Sequence, residues 1–132
     1  MKKRVYDCHY GCPVEATLDV IGGKWKGVIL FHLLSGAKRF NELHRYFPSV
    51  THRMLTLQLR ELEEAGVVHR EVYPQVPPKV EYSLTPFGQS LQPILLLMLQ
   101  WGEQYAEKLI ETKQATQTTD HEDAVKQFTA PL

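Results

Sequence analysis

Two cysteines in 132 residues, Cys8 and Cys12, lie too close together near one end to staple a small fold. Long apolar runs are missing as well. The longest, Ile94 to Leu99, falls far short of the roughly 18–20 residues that cross a bilayer, so no membrane partner is expected. The start, MKKRVYDCHYGC, is basic but has no apolar stretch behind it, and reads as a cytoplasmic protein without a secretory signal. There is no Walker loop, no HExxH and no GxSxG, and Gly22-Gly23-Lys24 lacks the upstream glycine and following Ser/Thr of a phosphate loop. Cys8, His9 and Cys12 have no fourth ligand at finger spacing, and His32 and His44 fall singly on predicted helices. Neither an enzyme nor a metal or other cofactor is expected.

Net charge is lacking too, with fifteen Lys plus Arg against fifteen Asp plus Glu, but the balance hides a division. Residues 1–60 carry a surplus of six positive charges and residues 61–132 a surplus of six negative ones. Such asymmetry between halves points to a nucleic-acid or membrane partner, which the whole-chain average conceals. A composition 43% hydrophobic and 23% charged is that of a globular chain of one domain.

Along the chain, Pro13 opens a short helix that places Val14, Leu18 and Ile21 on one face, and Gly22-Gly23 stops it. From Lys24 to Ser35-Gly36, apolar residues surround most of a second helix, as expected at the centre of a small domain. Phe40, Leu43 and Phe47 mark a third, closed by Pro48. Thr51 is an N-cap and Gly66 a stop for the fourth, THRMLTLQLRELEEAG. The period then changes to two: VVHREVY and KVEYSL read as strands of a hairpin whose tip, Pro74 to Pro78, is stiffened by prolines. Thr85-Pro86 starts a last long helix reaching about residue 112, with Pro93 expected to kink it. The sequence therefore predicts one domain over 1–112 and a disordered tail over 113–132, which is Thr/Gln-rich, acidic and aperiodic.

Two helices joined by a turn and followed by a hairpin make a winged helix-turn-helix, mainly α with a small β-hairpin wing, an α+β arrangement in which the second helix enters the major groove of duplex DNA. Advancing about 100° per residue from Leu55, Leu59 and Leu62 return to the same side and fix the buried stripe. Arg53, Leu57 and Arg60 lie opposite, Thr56 sits on the shoulder, and Thr51 and His52 occupy the exposed first turn. The helix is basic at its N-terminal end and acidic at Glu61, Glu63 and Glu64, the reverse of what its dipole prefers. Contact with phosphates and bases accounts for that order. Arg53 suits a guanine edge, Thr56 several bases and Leu57 a thymine methyl. Lys38, Arg39 and Arg45 are expected over phosphates, with Lys79 reaching the DNA backbone or minor groove from the wing.

The segments CPVEATLDVIGGKWKGVILFHLLSGAKRFNELHR, MLTLQLRELEEAGVVHREVY, VPPKVEYSLTPFGQSLQP and WGEQY resemble the HxlR-type transcriptional regulators, a winged-helix branch related to MarR regulators. The resemblance spans about residues 8–106. It implies a homodimeric DNA-binding repressor or activator on a pseudo-palindromic operator, dimerised through N- and C-terminal helices. Leu57 departs from the polar residue, often Gln, of many relatives. A dimer would also cover the apolar last helix, with Leu95, Met98, Leu99, Trp101, Tyr105 and Leu109 packing on their mates, together with Val14 and Leu18. Several members sense oxidants or electrophiles through a cysteine at the place of Cys12, which here precedes Pro13 at the positive end of the first helix, beside the basic arm. A disulfide between the Cys12 residues of two protomers, or from Cys12 to Cys8, would change the spacing of the reading helices.

Two other readings stay open. One is a regulator without a thiol switch that takes an apolar small-molecule inducer in a pocket lined by Met98, Trp101 and Tyr105. The other is a winged helix used for protein contact, which would not require the basic end of the fourth helix or Lys79.

Overall fold

Proline at its first position and glycine at its end delimit α1 (Pro13–Ile21), and a glycine with φ +82° follows at Gly23. In the computed structural model, which describes residues 9–129 and the side chains of 9–116, this helix leads into α2 (Lys26–Leu33), β1 (Lys38–Arg39), α3 (Phe40–Arg45) and α4 (His52–Glu64). Then come β2 (Val68–Tyr73), β3 (Lys79–Leu84), a short α5 (Pro86–Gln89) and α6 (Gln92–Thr129). The described chain falls into two units, one ending at Leu95 and the other beginning at Leu96.

The first unit is built on a single core. Ile29, Leu30 and Leu33 of α2 meet Leu43 of α3, Leu55, Leu59 and Leu62 of α4, and Val67, Val68 and Tyr82 of the sheet. No charged or polar side chain is buried among the described residues. The stripe expected on α4 is the one found, each of its three leucines being 1% exposed. Burial of such a side chain contributes about 1.5–3 kcal/mol, so the three together hold the helix at one rotation about its axis. At its start, Thr51 accepts a hydrogen bond from the Met54 N–H at 3.1 Å. At its end, Gly66 takes the left-handed conformation, φ +80°, that its position as stop requires.

The sheet is antiparallel with order β1-β3-β2. Its third strand, β1, was not expected. It comprises only Lys38 and Arg39, which pair with Tyr82 and Glu81 of β3. Alternation along β3 follows expectation, with Tyr82 buried and Val80 and Leu84 packed on the core. Thr85 ties the hairpin to the helices: its hydroxyl donates to the Gly66 carbonyl at 2.6 Å and accepts from the Gly88 N–H at 2.9 Å, while its own N–H donates to the Val67 carbonyl. A Cβ added at buried Gly88 would meet that Val67 carbonyl oxygen at 2.0 Å, so the close approach demands glycine.

The last segment departs from expectation in three respects. It is two helices rather than one kinked helix, because α5 stops at Gln89 and Pro93 falls in the first turn of α6, where a missing N–H breaks no helical bond. Leu95, expected on a dimer face, is instead 2% exposed and belongs to the core of its own chain; one turn earlier, Leu91 packs against the same core. Finally, the helix continues past residue 112 to Thr129. In the second unit α6 carries exposed Leu97, Met98, Leu99, Trp101, Leu109 and Ile110, with Trp101 57% exposed and its ring 5.2 Å from that of Tyr105.

Leu59→Ala should cost about 2–5 kcal/mol of stability in urea denaturation. Leu57→Ala, at a position 44% exposed, should change it by no more than about 0.5 kcal/mol.

Candidate nucleic-acid interface

With the leucine stripe turned inward, α4 presents Arg53, Leu57 and Arg60 to the outside. Together with Thr51, Met54 and Thr56 they line a shallow cavity of about 390 Å³ along the helix. The Thr56 hydroxyl donates to the His52 carbonyl at 2.8 Å, so its proton is committed and its free lone pairs accept. That suits the exocyclic amino group of adenine or cytosine in a major groove. His52 is exposed, but its ring lies against that of Phe40, centroids 4.1 Å apart, and joins the first turn of α4 to α3.

A second concavity, of about 410 Å³, separates α4 from the wing, with Arg39, Arg70 and Lys79 among its lining residues. Arg70 escaped sequence reasoning. Its position opposite Tyr82 in the β2/β3 register places it on the face turned to α4, where it borders a smaller cavity with Thr56, Arg60 and Glu63. The alternation that singles out Tyr82 on β3, carried across to β2, is the signal that finds it.

The expected phosphate contacts differ in their surroundings. Arg39 and Arg45 are exposed. Lys38 is half-buried and donates to Ser35 Oγ at 3.0 Å. Lys79 is ion-paired with Glu81 at 2.8 Å. The acidic end of α4 also has a partly structural origin, since Glu61 pairs with Lys26 at 2.8 Å and braces α4 against α2.

The turn before α4 is held from behind. The imidazole Nε2 of His44 lies 2.7 Å from the Val50 carbonyl, which can only accept, so Nε2 carries the proton. His32 of α2 stacks on Tyr46, centroids 3.9 Å apart. Burial, with Lys38 nearby as the lesser cause, holds the His32 pKa below the ordinary imidazole value.

At the other end of the chain, Cys12 is exposed and caps α1 in an extended conformation without a side-chain cap bond. Its neighbours are tied to α1: Gly11 N–H donates to Glu15 at 3.0 Å and the Tyr10 hydroxyl to Asp19 at 2.8 Å, which raises the Tyr10 pKa. Cys8 lies outside the described residues. Val14 and Leu18 are exposed on α1. On α6, Trp101, Tyr105 and Leu109 border an open shelf of about 590 Å³; Met98, though exposed, is not among its lining residues. No described helix is long and apolar enough to cross a membrane.

An exposed helix carrying Arg53 and Arg60, set by a turn against α3 and flanked by a hairpin with two more cations, Arg70 and Lys79, defines a winged helix-turn-helix. Residues 20–110 match the profile of the HxlR-like helix-turn-helix family, and the chain belongs to that family of transcriptional regulators. It is 68% identical over 102 residues to the HTH-type transcriptional regulator YybR of Bacillus subtilis (strain 168), covering 77% of this chain and 82% of YybR. YdeP of the same organism, also an HTH-type transcriptional regulator, is 61% identical over 110 residues, 83% of this chain and 86% of its own. Among solved structures, the redox regulator HypR in its reduced form superposes with a TM-score of 0.73 at 65% identity, over 76% of this chain and 99% of HypR. The oxidized form gives 0.69 at 70% identity, over 70% and 96%.

Because the His32 pKa is lowered on folding, the unfolded chain takes up the extra proton first. Stability is fully present above the unfolded value of about 6.5 and is lost as pH falls from there through the lowered folded value. His32→Gln should therefore flatten the fall in urea midpoint on acidification, even though it loses the stacking on Tyr46.

Proposed function

We propose that the chain regulates transcription as a homodimer that reads a pseudo-palindromic operator with α4, and that Cys12 makes binding responsive to oxidants or electrophiles. The observation that carries the DNA contact is the rotation of α4: Leu55, Leu59 and Leu62 are sealed in, so Arg53, Leu57 and Arg60 point out. Arg53 then reads a guanine edge, Leu57 meets a thymine methyl and Thr56 accepts from an amino group. Arg39, Arg45 and Arg70 neutralise phosphates, and Lys38 adds positive charge from behind. His52 and Thr51 set the first turn against the DNA.

Dimerisation is supported by the apolar surface left on each unit, Val14 and Leu18 on α1 and Met98, Leu99, Trp101, Tyr105 and Leu109 on α6. A two-fold pair would present its reading helices about 34–36 Å apart, one turn of DNA.

For thiol sensing, the support is an exposed Cys12 with no cap bond together with likeness to a protein described as a redox regulator. Two thiols joined as a disulfide, Cys12 with the partner's Cys12 or with Cys8, give up two electrons and two protons. A hydroperoxide accepts them and is reduced to water and an alcohol. The shelf beside Trp101, Tyr105 and Leu109 favours the second reading, an apolar inducer bound on α6 with no thiol chemistry.

Arg53→Ala should weaken operator binding by about 1–3 kcal/mol and relax preference at one base pair, measured by gel shift on fragments selected from the host genome. Cys12→Ser should bind the same fragments in the absence of oxidant and lose the oxidant response. A response that survives in Cys12→Ser removes the switch from Cys12 and favours the α6 shelf.

A further inference from the structure

Of the three ion pairs among the described residues, Lys26–Glu61 joins two helices and His69–Glu71 lies exposed at the sheet edge. The third is different. Lys79 and Glu81 are two apart on β3, so strand geometry already holds them side by side and their pairing fastens no element to another. It is nonetheless elaborate. Lys79 Nζ lies 2.8 Å from Glu81 Oε1 and 5.0 Å from the centre of the Tyr73 ring, and the Tyr73 hydroxyl donates to Glu81 Oε2 at 3.5 Å. The two side chains are 28% and 24% exposed, sheltered compared with a fully solvated surface pair. Arg39 faces Glu81 across the β1/β3 register and Glu71 faces it across β2/β3. A carboxylate opposite another carboxylate is unfavourable on a sheet. The hydrogen bond from Lys79 outweighs burial and keeps the Glu81 pKa below its usual value. Glu81 is thus a persistent negative charge beside Arg39 and Lys79, two of the cations that line the concavity between α4 and the wing.

We propose that Glu81 is a specificity-determining residue that competes with DNA phosphate for Lys79, withholding the wing lysine from non-operator DNA. The inference rests on the DNA-binding reading of α4 and the wing. A lysine paired with a carboxylate brings no net charge to the duplex and displaces no condensed counterions, so it adds nothing to non-specific affinity. At the operator, base contacts from α4 fix the register and hold one phosphate against the wing. There the phosphate replaces the carboxylate on Lys79, and Glu81 passes to Arg39 and the Tyr73 hydroxyl. Tight binding is thereby reserved for the sequence that α4 accepts.

The test is the salt dependence of binding by the full chain, on a random-sequence duplex and on a duplex selected from genomic fragments. Wild type, Glu81→Gln, Lys79→Gln and the double variant are compared, with circular dichroism confirming that each is folded. On the random duplex, Glu81→Gln should bind several-fold more tightly, with a log–log salt slope steeper by about 0.9, the value of one added phosphate contact. Lys79→Gln should leave the random-duplex slope unchanged and weaken binding to the selected duplex. In the double variant the effect of Glu81→Gln should vanish, which isolates the coupling between the two residues. An unchanged slope in Glu81→Gln overturns the proposal. So does an equal change with and without Lys79, which would mark a general effect of charge. If wild type binds neither duplex in a salt-dependent way, the DNA reading itself falls and this proposal with it. Glu81→Ser, read in the same assay, replaces Glu81→Gln should the latter fail to fold.

Discussion

Burial of Leu55, Leu59 and Leu62 on one side of α4 is the constraint on which the remainder of the structure depends. A helix of 13 residues has no intrinsic reason to prefer one rotation about its axis. Three leucines driven from water supply it. Once they are seated against α2 and the sheet, Arg53, Leu57 and Arg60 are outward by geometry alone. The same seating fixes where the helix begins and ends, so that Thr51 can cap it and Gly66 can turn the chain toward β2. The Thr85 hydrogen bonds to Gly66 and Gly88 then hold the hairpin to the end of the same helix. The outward face of α4 and the wing are consequently joined within one packed unit.

A neutral total is compatible with a DNA-binding surface because charges of opposite sign are spent differently. Lys26 and Lys79 are each paired with a glutamate. No ion pair is found at Arg53, Arg60 or Arg70 among the described residues. The arginines nearest the expected groove are therefore those whose guanidinium forks are available for phosphate or guanine. The reversed charge order of α4 opposes its dipole, and its acidic end is only partly explained by function. Glu61 serves the fold by bracing α2, whereas the basic end has no such structural partner.

Much of this was legible in the sequence because the relevant signals are local. The cap at Thr51, the leucine period and the alternation of Val80, Tyr82 and Leu84 each lie within one element, and burial imposes the same period wherever the chain goes. What escaped depends on distant pairing. Lys38 and Arg39 form a strand only because β3 passes beside them, and two residues carry no period to read. Arg70 was overlooked because edge strand β2 is mostly solvated and shows no hydrophobic alternation of its own. Pro93 is compatible with a kink or with a first turn, and only the stop of α5 decides between them. Leu95 sits in a run so uniformly apolar that the sequence could not separate the side facing its own core from the side left exposed. The continuation of α6 to Thr129 has no apolar stripe to announce it.

The central claim is that the outward face of α4 lies against duplex DNA. A photo-reactive benzophenone side chain placed at position 57 on α4 tests it directly with DNA fragments selected from the host genome. Covalent DNA adducts from position 57 that are competed away by unlabelled operator are the expected result. No adduct from position 57 on a fragment that the same protein retards in a gel would contradict it.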